Sequence, residues 1–206
     1  LNFLENHDEQ RVASDFFVGN GQKSLAMLYV SLFFNTAPFM IYFGQEFGER
    51  GMETEGYSGV DGRTTIYDFW SLSSVRRFLE GGDAGDAYKE LTDSEKKMLS
   101  TYRDLMKSAM GKDSFRIGKT FDLMYVNPQS GHFDPRYHYA FLRSDGKEIY
   151  LVTANFSPWD AQIKINIPQD AFDYLGIAGS ATQIMVSVGA YDGNIMNLTN
   201  IFGSSW

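Results

Sequence analysis

The sequence contains no cysteine among its 206 residues, and it is short of positive charge. Without cysteine the chain can form neither disulfides nor thiolate metal sites, although this does not fix its compartment. Lysine and arginine total 18 against 26 aspartates and glutamates, which gives a formal net charge of -8 and a pI near 4.8. Because nucleic-acid binding draws most of its affinity from clustered lysines and arginines, we expect no nucleic-acid partner.

The sequence also lacks a long hydrophobic run. A membrane span needs roughly 18 to 20 consecutive apolar residues, and the longest apolar stretch is interrupted at Lys23, Ser24, Ser31 and Asn35. We therefore expect no membrane span. The chain does have 43% hydrophobic and 16% aromatic residues, which is enough to form the core of one domain or of two small ones.

The first part of the chain alternates between strand and helix patterns. Leu1–Leu4 is typical of the end of a buried strand, and the polar residues Glu5–Arg11 are typical of a functional loop. An apolar run from Gln22 to Asn35 predicts a buried helix. The uniformly apolar Pro38–Phe43 predicts a central parallel strand. Glycines and charges at 44–63 predict a long loop, the kind of segment that carries function in α/β proteins.

The second part of the chain changes from helical to strand patterns. Thr92 and Glu95 have capping-box spacing, and apolar residues then recur at helical period as far as Gly111, a natural helix end. From about residue 113 alternation predicts antiparallel strands. These are Tyr137–Leu142 and Glu148–Phe156 around a turn at Ser144–Gly146, followed by Ala161–Ile167 and Thr182–Val188. The predicted architecture is therefore an incomplete α/β unit followed by a β-sandwich.

Three segments are similar to ligand-binding motifs but lack features that those motifs require. Gly19–Ser24 opens a helix as a phosphate loop would, but it lacks the required spacing. His7–Glu9 lies on extended backbone, where adjacent side chains point to opposite sides, so we expect no transition-metal site there. Gly82–Asp86 is too short and lacks the oxygen ligands of a calcium loop, which favours a solvated loop.

Two segments together resemble the α-amylase family of glycoside hydrolases, glycoside hydrolase family 13. Phe3–Asp8 is similar to the last signature region of that family, where an Asn-His-Asp triplet ends the seventh strand of a (β/α)8 barrel. Ala37–Glu46 is similar to the eighth strand, and one predicted helix lies between the two segments. The resemblance implies that residues 1–112 are the C-terminal part of a catalytic (β/α)8 barrel. It further implies that residues 113–206 form an antiparallel β-sandwich domain.

The resemblance also implies roles for individual residues. Asp8 matches the third catalytic carboxylate of the family, which grips the 2- and 3-hydroxyls of the sugar. His7 matches a histidine that donates to the same sugar. Asn6 would brace the end of the strand, and Arg11 matches an arginine that would orient Asp8.

Other candidate residues have two interpretations each. Asp61 and Arg63 follow the eighth strand, where the family often uses an Asp and an Arg to hold the neighbouring sugar, but an ordinary surface ion pair explains them equally well. Glu46 could contact a sugar, although a buried brace within the barrel is the favoured interpretation. For Trp159, packing under a loop is favoured over stacking on a sugar.

The sequence lacks the other catalytic segments of the family. It has no Gly-x-Arg-x-Asp segment to carry the nucleophile and no Asp-x-x-x-Asn-His segment. A retaining glycosidase needs a nucleophile and an acid/base group about 5 Å apart. We therefore expect an inactive segment of a larger enzyme that cleaves α-1,4 glucosidic bonds of starch or maltooligosaccharides.

Several expectations about partners follow. The N-terminal barrel part of the same chain would be a partner, and the exposed strand edges predict self-association. We expect no cofactor in this segment, while the intact protein could hold calcium, since the family's calcium sites often lie in segments that this chain lacks. The alternative from another functional class is a non-catalytic carbohydrate-binding or structural module from a degenerate relative.

Overall fold

The computed structural model describes residues 1–53, 61–82 and 88–177. These residues fall into two compact units. The first comprises Leu1–Leu28 and Ala37–Lys107, and the second comprises Tyr29–Thr36 and the chain from Ser108 onward. The predicted assignment of residues 1–112 to a barrel and 113–206 to a sandwich stays a prediction.

The described elements follow one another in the order strand, helix, strand, helices, then three strands and a final helix. The strands are β1 (Asn2–Phe3), β2 (Phe39–Met40), β3 (Lys119–Asp122), β4 (His138–Ser144) and β5 (Ile149–Asn155). The α-helices are α1 (Leu25–Phe33), α2 (Ser73–Glu80), α3 (Asp93–Gly111), α4 (Asp113–Arg116) and α5 (Gln169–Leu175). Short 3-10 turns occupy Gln22–Ser24, Gln45–Phe47 and Met124–Val126.

The first unit contains a parallel strand pair. β1 and β2 pair in parallel, with Asn2 opposite Phe39 and Phe3 opposite Met40. The 3-10 turn and α1 connect them, which is the connection that a parallel pair requires. The predicted helix over 22–35 is thus present as a 3-10 turn that runs into α1.

Helix α3 begins and ends where the sequence predicts. The Thr92 amide donates to Glu95 Oε2 at 2.8 Å, and the Glu95 amide donates to Thr92 Oγ1 at 3.3 Å, which closes the capping box. Three apolar or aromatic side chains on one face are buried and hold the helix in the unit. They are Met98, Tyr102 and Leu105.

The second unit is built on a three-stranded antiparallel sheet in the order β3-β4-β5. The β4–β5 hairpin pairs His138 with Asn155 at one end and Ser144 with Ile149 at the other. At its turn Asp145 Oδ1 accepts hydrogen bonds from the amides of Lys147 and Glu148. The predicted hairpin is present.

The predicted strand at Ala161–Ile167 is wrong, because the segment has no strand ladder. Side-chain burial does alternate along it, and Ile163 and Ile165 pack against the core of the unit. The backbone of this segment forms hydrogen bonds with a loop instead; for example, the Asn166 amide donates to Asn127 Oδ1 at 2.7 Å. The predicted strand at Thr182–Val188 lies outside the described residues.

Candidate functional site

The parallel pairing of β1 and β2 places two polar segments at one edge of the first unit. Asn6–Asp8 follows the carboxyl end of β1, and Gly44–Glu46 follows the carboxyl end of β2. The carboxyl ends of neighbouring parallel strands meet at the same edge, where α/β proteins bind ligands. This edge is the candidate site.

Asn6 shapes the turn that presents the next two residues. Its Oδ1 accepts hydrogen bonds from the amides of Asp8, at 2.8 Å, and Glu9, at 3.0 Å. An asparagine that bonds its own loop in this way fixes a turn. Asn6 therefore braces the loop after β1, and the structure shows the bonds by which it does so.

His7 and Asp8 are presented to solvent. Their side chains are 57% and 75% exposed, and His7 Nε2 lies 3.4 Å from Asp8 Oδ2. The carboxylate can accept several hydrogen bonds and the imidazole can donate one. The pair is therefore available to a polyhydroxylated ligand at the strand edge.

A buried ion pair underlies the exposed loop. Arg11 Nη1 donates to Glu5 Oε1 at 2.7 Å, and both side chains are almost completely buried. The second oxygen of Glu5 accepts from the Val12 amide at 2.7 Å. Burial raises the pKa of Glu5, while the Arg11 guanidinium and the Val12 amide oppose that rise. The Glu5 side chain thus ties the start of the loop to its end.

The structure corrects the role expected for Arg11. Its Nη1 binds Glu5 and its Nε donates to Thr64 Oγ1 at 3.1 Å, so neither of these groups orients Asp8. Its Nη2 is buried with no hydrogen-bond partner among the described residues. The guanidinium carbon lies 4.6 Å from the centroid of the Tyr42 ring and 5.0 Å from that of Phe43. The aromatic cover and the Glu5 carboxylate hold Arg11 inside the unit.

Sequence reasoning missed Glu5. The available signal was its position between an apolar strand end and the polar triplet, with an arginine six residues later. A carboxylate at that position has to be paired if it is buried. Nothing in the spacing showed which of the neighbouring carboxylates Arg11 would bind.

Asp61 and Arg63 lie beside the same loop. The Arg11 amide donates to the Gly62 carbonyl at 2.7 Å, and Gln10 forms an antiparallel bridge with Arg63. Arg63 Nε donates to Asp61 Oδ2 at 2.7 Å, and the two side chains are exposed. The pKa of Asp61 is lowered by this pairing. The pKa of Arg63 is raised, chiefly by Asp61 and more weakly by Asp8 and Glu9.

Gln45, the neighbour of Glu46, braces the strand end after β2. Gln45 Oε1 accepts from the Tyr42 amide at 3.2 Å, and its Nε2 donates to Tyr102 Oη at 3.0 Å. Glu46 Oε2 is buried with no hydrogen-bond partner among the described residues. Burial raises the pKa of Glu46, while hydrogen bonds from the backbone amides of Glu46 and Gly44 and the charge of Arg11 oppose that rise. The strand end after β2 is therefore held to α3 through a glutamine.

Comparisons with protein families, curated proteins and solved structures found no match for this chain. In the described ranges there is no group of three or more His, Asp or Glu residues arranged to hold a metal ion. In the same ranges no helix combines the length and the apolar character needed to cross a bilayer.

Proposed function

We propose that this chain is the C-terminal part of a retaining glycoside hydrolase of the α-amylase type, which acts on α-1,4-linked glucans. The observation that carries the proposal is the position of Asn6–Asp8 beside Gly44–Glu46. Both follow adjacent parallel strands, and the Asp8 carboxylate is exposed on a turn fixed by Asn6. This is the arrangement that the sequence resemblance implies for a sugar subsite.

Asp8 would act by holding the sugar. The transition state of glycoside hydrolysis resembles an oxocarbenium ion, and hydrogen bonds to ring hydroxyls that strengthen as charge develops contribute several kcal/mol. Asp8 accepts such hydroxyl bonds, and His7 donates to the same sugar. Neither residue attacks carbon in this proposal.

The loop must keep this geometry while the sugar binds. Asn6 fixes the turn through two amides, and the buried Glu5–Arg11 pair closes the loop beneath it. Catalytic groups lose efficiency when they are misplaced by as little as about 1 Å. The buried pair thus supports the exposed one.

The chemistry also needs a nucleophile and an acid/base group, whose family motifs are absent from this sequence. The proposal therefore assigns bond cleavage to the intact protein and predicts no glucan hydrolysis by the 206-residue chain alone. The second candidate is a carbohydrate-binding module without catalysis.

The test is hydrolysis of starch and maltooligosaccharides by the intact protein and its Asp8→Asn variant. Glu9→Gln is the matched control, because Glu9 is the next exposed carboxylate on the same loop. We expect Asp8→Asn to lose activity by at least roughly a thousandfold at unchanged fold, which corresponds to about 4 kcal/mol of transition-state stabilisation. An inert wild type that still binds glucan would support the second candidate instead.

A further inference from the structure

A group of exposed aromatic side chains lies at the open end of the β4–β5 hairpin in the second unit. Tyr137 precedes β4, Phe156 follows β5, and Trp159 lies three residues further on. Their exposed fractions are 39%, 42% and 65%. The expectation that Trp159 packs under a loop is therefore wrong. We call these three residues the aromatic platform.

The backbone beneath the platform is fixed by hydrogen bonds. The Phe156 amide donates to the Tyr137 carbonyl at 2.7 Å, which extends the hairpin pairing by one step. The Trp159 carbonyl accepts from Asn155 Nδ2 at 2.7 Å and from Ser157 Oγ at 2.9 Å. These bonds hold the backbone of Trp159 in place, which reduces the entropy cost of ordering this loop on binding.

The rings of Tyr137 and Trp159 are inclined to one another. The centroids of Tyr137 and Trp159 are 6.3 Å apart, with an angle of 61° between the ring planes. Inclined rings can contact successive units of a curved chain, whereas coplanar rings suit a flat one. A chain of α-1,4-linked glucose is curved, and each unit offers an apolar C–H face to an aromatic ring.

An ion pair lies beside the platform. Arg136 Nη2 donates to Asp134 Oδ2 at 2.6 Å, and the Arg136 guanidinium carbon lies 5.6 Å from the centroid of the Tyr137 ring. The pair offers donors and acceptors without net charge. Asp160, which follows Trp159, is exposed as well, so the groups beside the platform favour a hydroxyl-rich ligand over a phosphate.

We propose that the aromatic platform is a second glucan-binding site, separate from the Asp8 loop, and that it holds an α-1,4-linked chain by ring stacking. The choice of α-glucan rests on the proposed function, while the stacking of a neutral sugar rests on the platform itself. The site would keep a polymeric glucan attached to the protein while bonds elsewhere in the same glucan are cleaved.

The test is titration of the 206-residue chain with maltoheptaose, with binding measured by calorimetry and by tryptophan fluorescence. Trp159→Ala and Tyr137→Ala are the test variants. Trp70→Ala is the matched control, because Trp70 is an exposed tryptophan in the first unit. Cellohexaose, which is β-linked and flat, is the control ligand.

We expect wild type and Trp70→Ala to bind maltoheptaose more tightly than cellohexaose, and Trp159→Ala to bind maltoheptaose about tenfold more weakly. Equal binding by Trp159→Ala and wild type would overturn the proposal, as would no binding by either. A third outcome would also overturn the proposal: Trp159→Ala abolishes self-association of the chain, and glucan does not change the self-association of the wild type. That result would show that a second copy of the chain covers the platform. Failure of the proposed function would appear separately, in the hydrolysis rate of Asp8→Asn.

Discussion

At the scale of single residues, the candidate site has an exposed layer and a buried layer. His7 and Asp8 face solvent, while Glu5 and Arg11, which flank them in the chain, are almost wholly buried. A buried charge pair is costly to form, but removal of one partner costs more, because the other charge is left unpaired. The buried layer therefore makes the loop sensitive to substitutions that do not touch the ligand.

The first prediction concerns this pair. We expect Arg11→Ala or Glu5→Ala to lower the free energy of unfolding by about 3–5 kcal/mol, as measured by urea denaturation. The matched control is Arg116→Ala, which breaks the exposed Arg116–Asp113 pair and should cost less than about 1 kcal/mol.

The double variant Glu5→Leu/Arg11→Met separates the effect of an unpaired buried charge on stability from the effect of lost side-chain volume. Because both charges are removed together, its loss of stability should be smaller than that of either single variant. Equal losses in Arg11→Ala and Arg116→Ala would contradict the account of the buried layer.

Only part of this site could be predicted from the sequence. The polar triplet after an apolar run identified Asn6–Asp8 as a loop at a strand end, because that change of polarity is local. The partner of Arg11 was not predictable, because Glu5, Asp8 and Glu9 all lie within six residues of it. Only the direction of the backbone decides which carboxylate meets the guanidinium.

At the scale of elements, the strand and helix predictions succeeded where the signal is local hydrogen bonding. The capping box of α3 and the turn of the β4–β5 hairpin are both set by side chains within four residues. The strand predicted at Ala161–Ile167 failed because alternation reports which side chains are buried. It does not report whether a neighbouring strand supplies a ladder.

The second prediction concerns Arg143 in β4, which is buried without a carboxylate partner among the described residues. Its guanidinium donates to the carbonyls of Phe34, Ser114, Phe115 and Gly118 and to Thr120 Oγ1. Replacement leaves these acceptors unsatisfied, so we expect Arg143→Met to lower the free energy of unfolding by roughly 3 kcal/mol or more.

Lys147→Met is the control for Arg143→Met, because Lys147 is an exposed cation on the same hairpin. Its free energy of unfolding should stay within about 0.5 kcal/mol of the wild type. Denaturation with a fluorescence readout compares the two variants. A similar effect of both would show that the five bonds of Arg143 do not hold the second unit.

At the scale of the whole molecule, the two-stranded sheet of the first unit has no further strand at its edges within the described ranges. In the part of the chain that the structure describes, β1 pairs only with β2. Leu1 and Phe3 are exposed. A barrel removes such edges by closing, and an open apolar edge invites pairing with another chain. The proposed function places other barrel strands beside β1 and β2, and it therefore accounts for the open edge.

The third prediction is concentration-dependent self-association of the 206-residue chain, measured by light scattering. Phe3→Lys should reduce it, because a lysine on an edge strand opposes pairing. Ile117→Lys is the control, because it places the same charge at an exposed apolar position in the second unit. A clean monomer at high concentration would contradict the prediction.

The measurement that decides between an enzyme segment and a binding module is the steady-state kinetics of the intact protein with the Asp8→Asn substitution. If Asp8 binds the sugar more tightly in the transition state than in the ground state, kcat falls by at least roughly a thousandfold while KM changes little. Glu9→Gln should keep the wild-type kcat. An unchanged kcat in Asp8→Asn, or an equal loss in Glu9→Gln, would contradict the assignment of the strand-end loop as the sugar subsite.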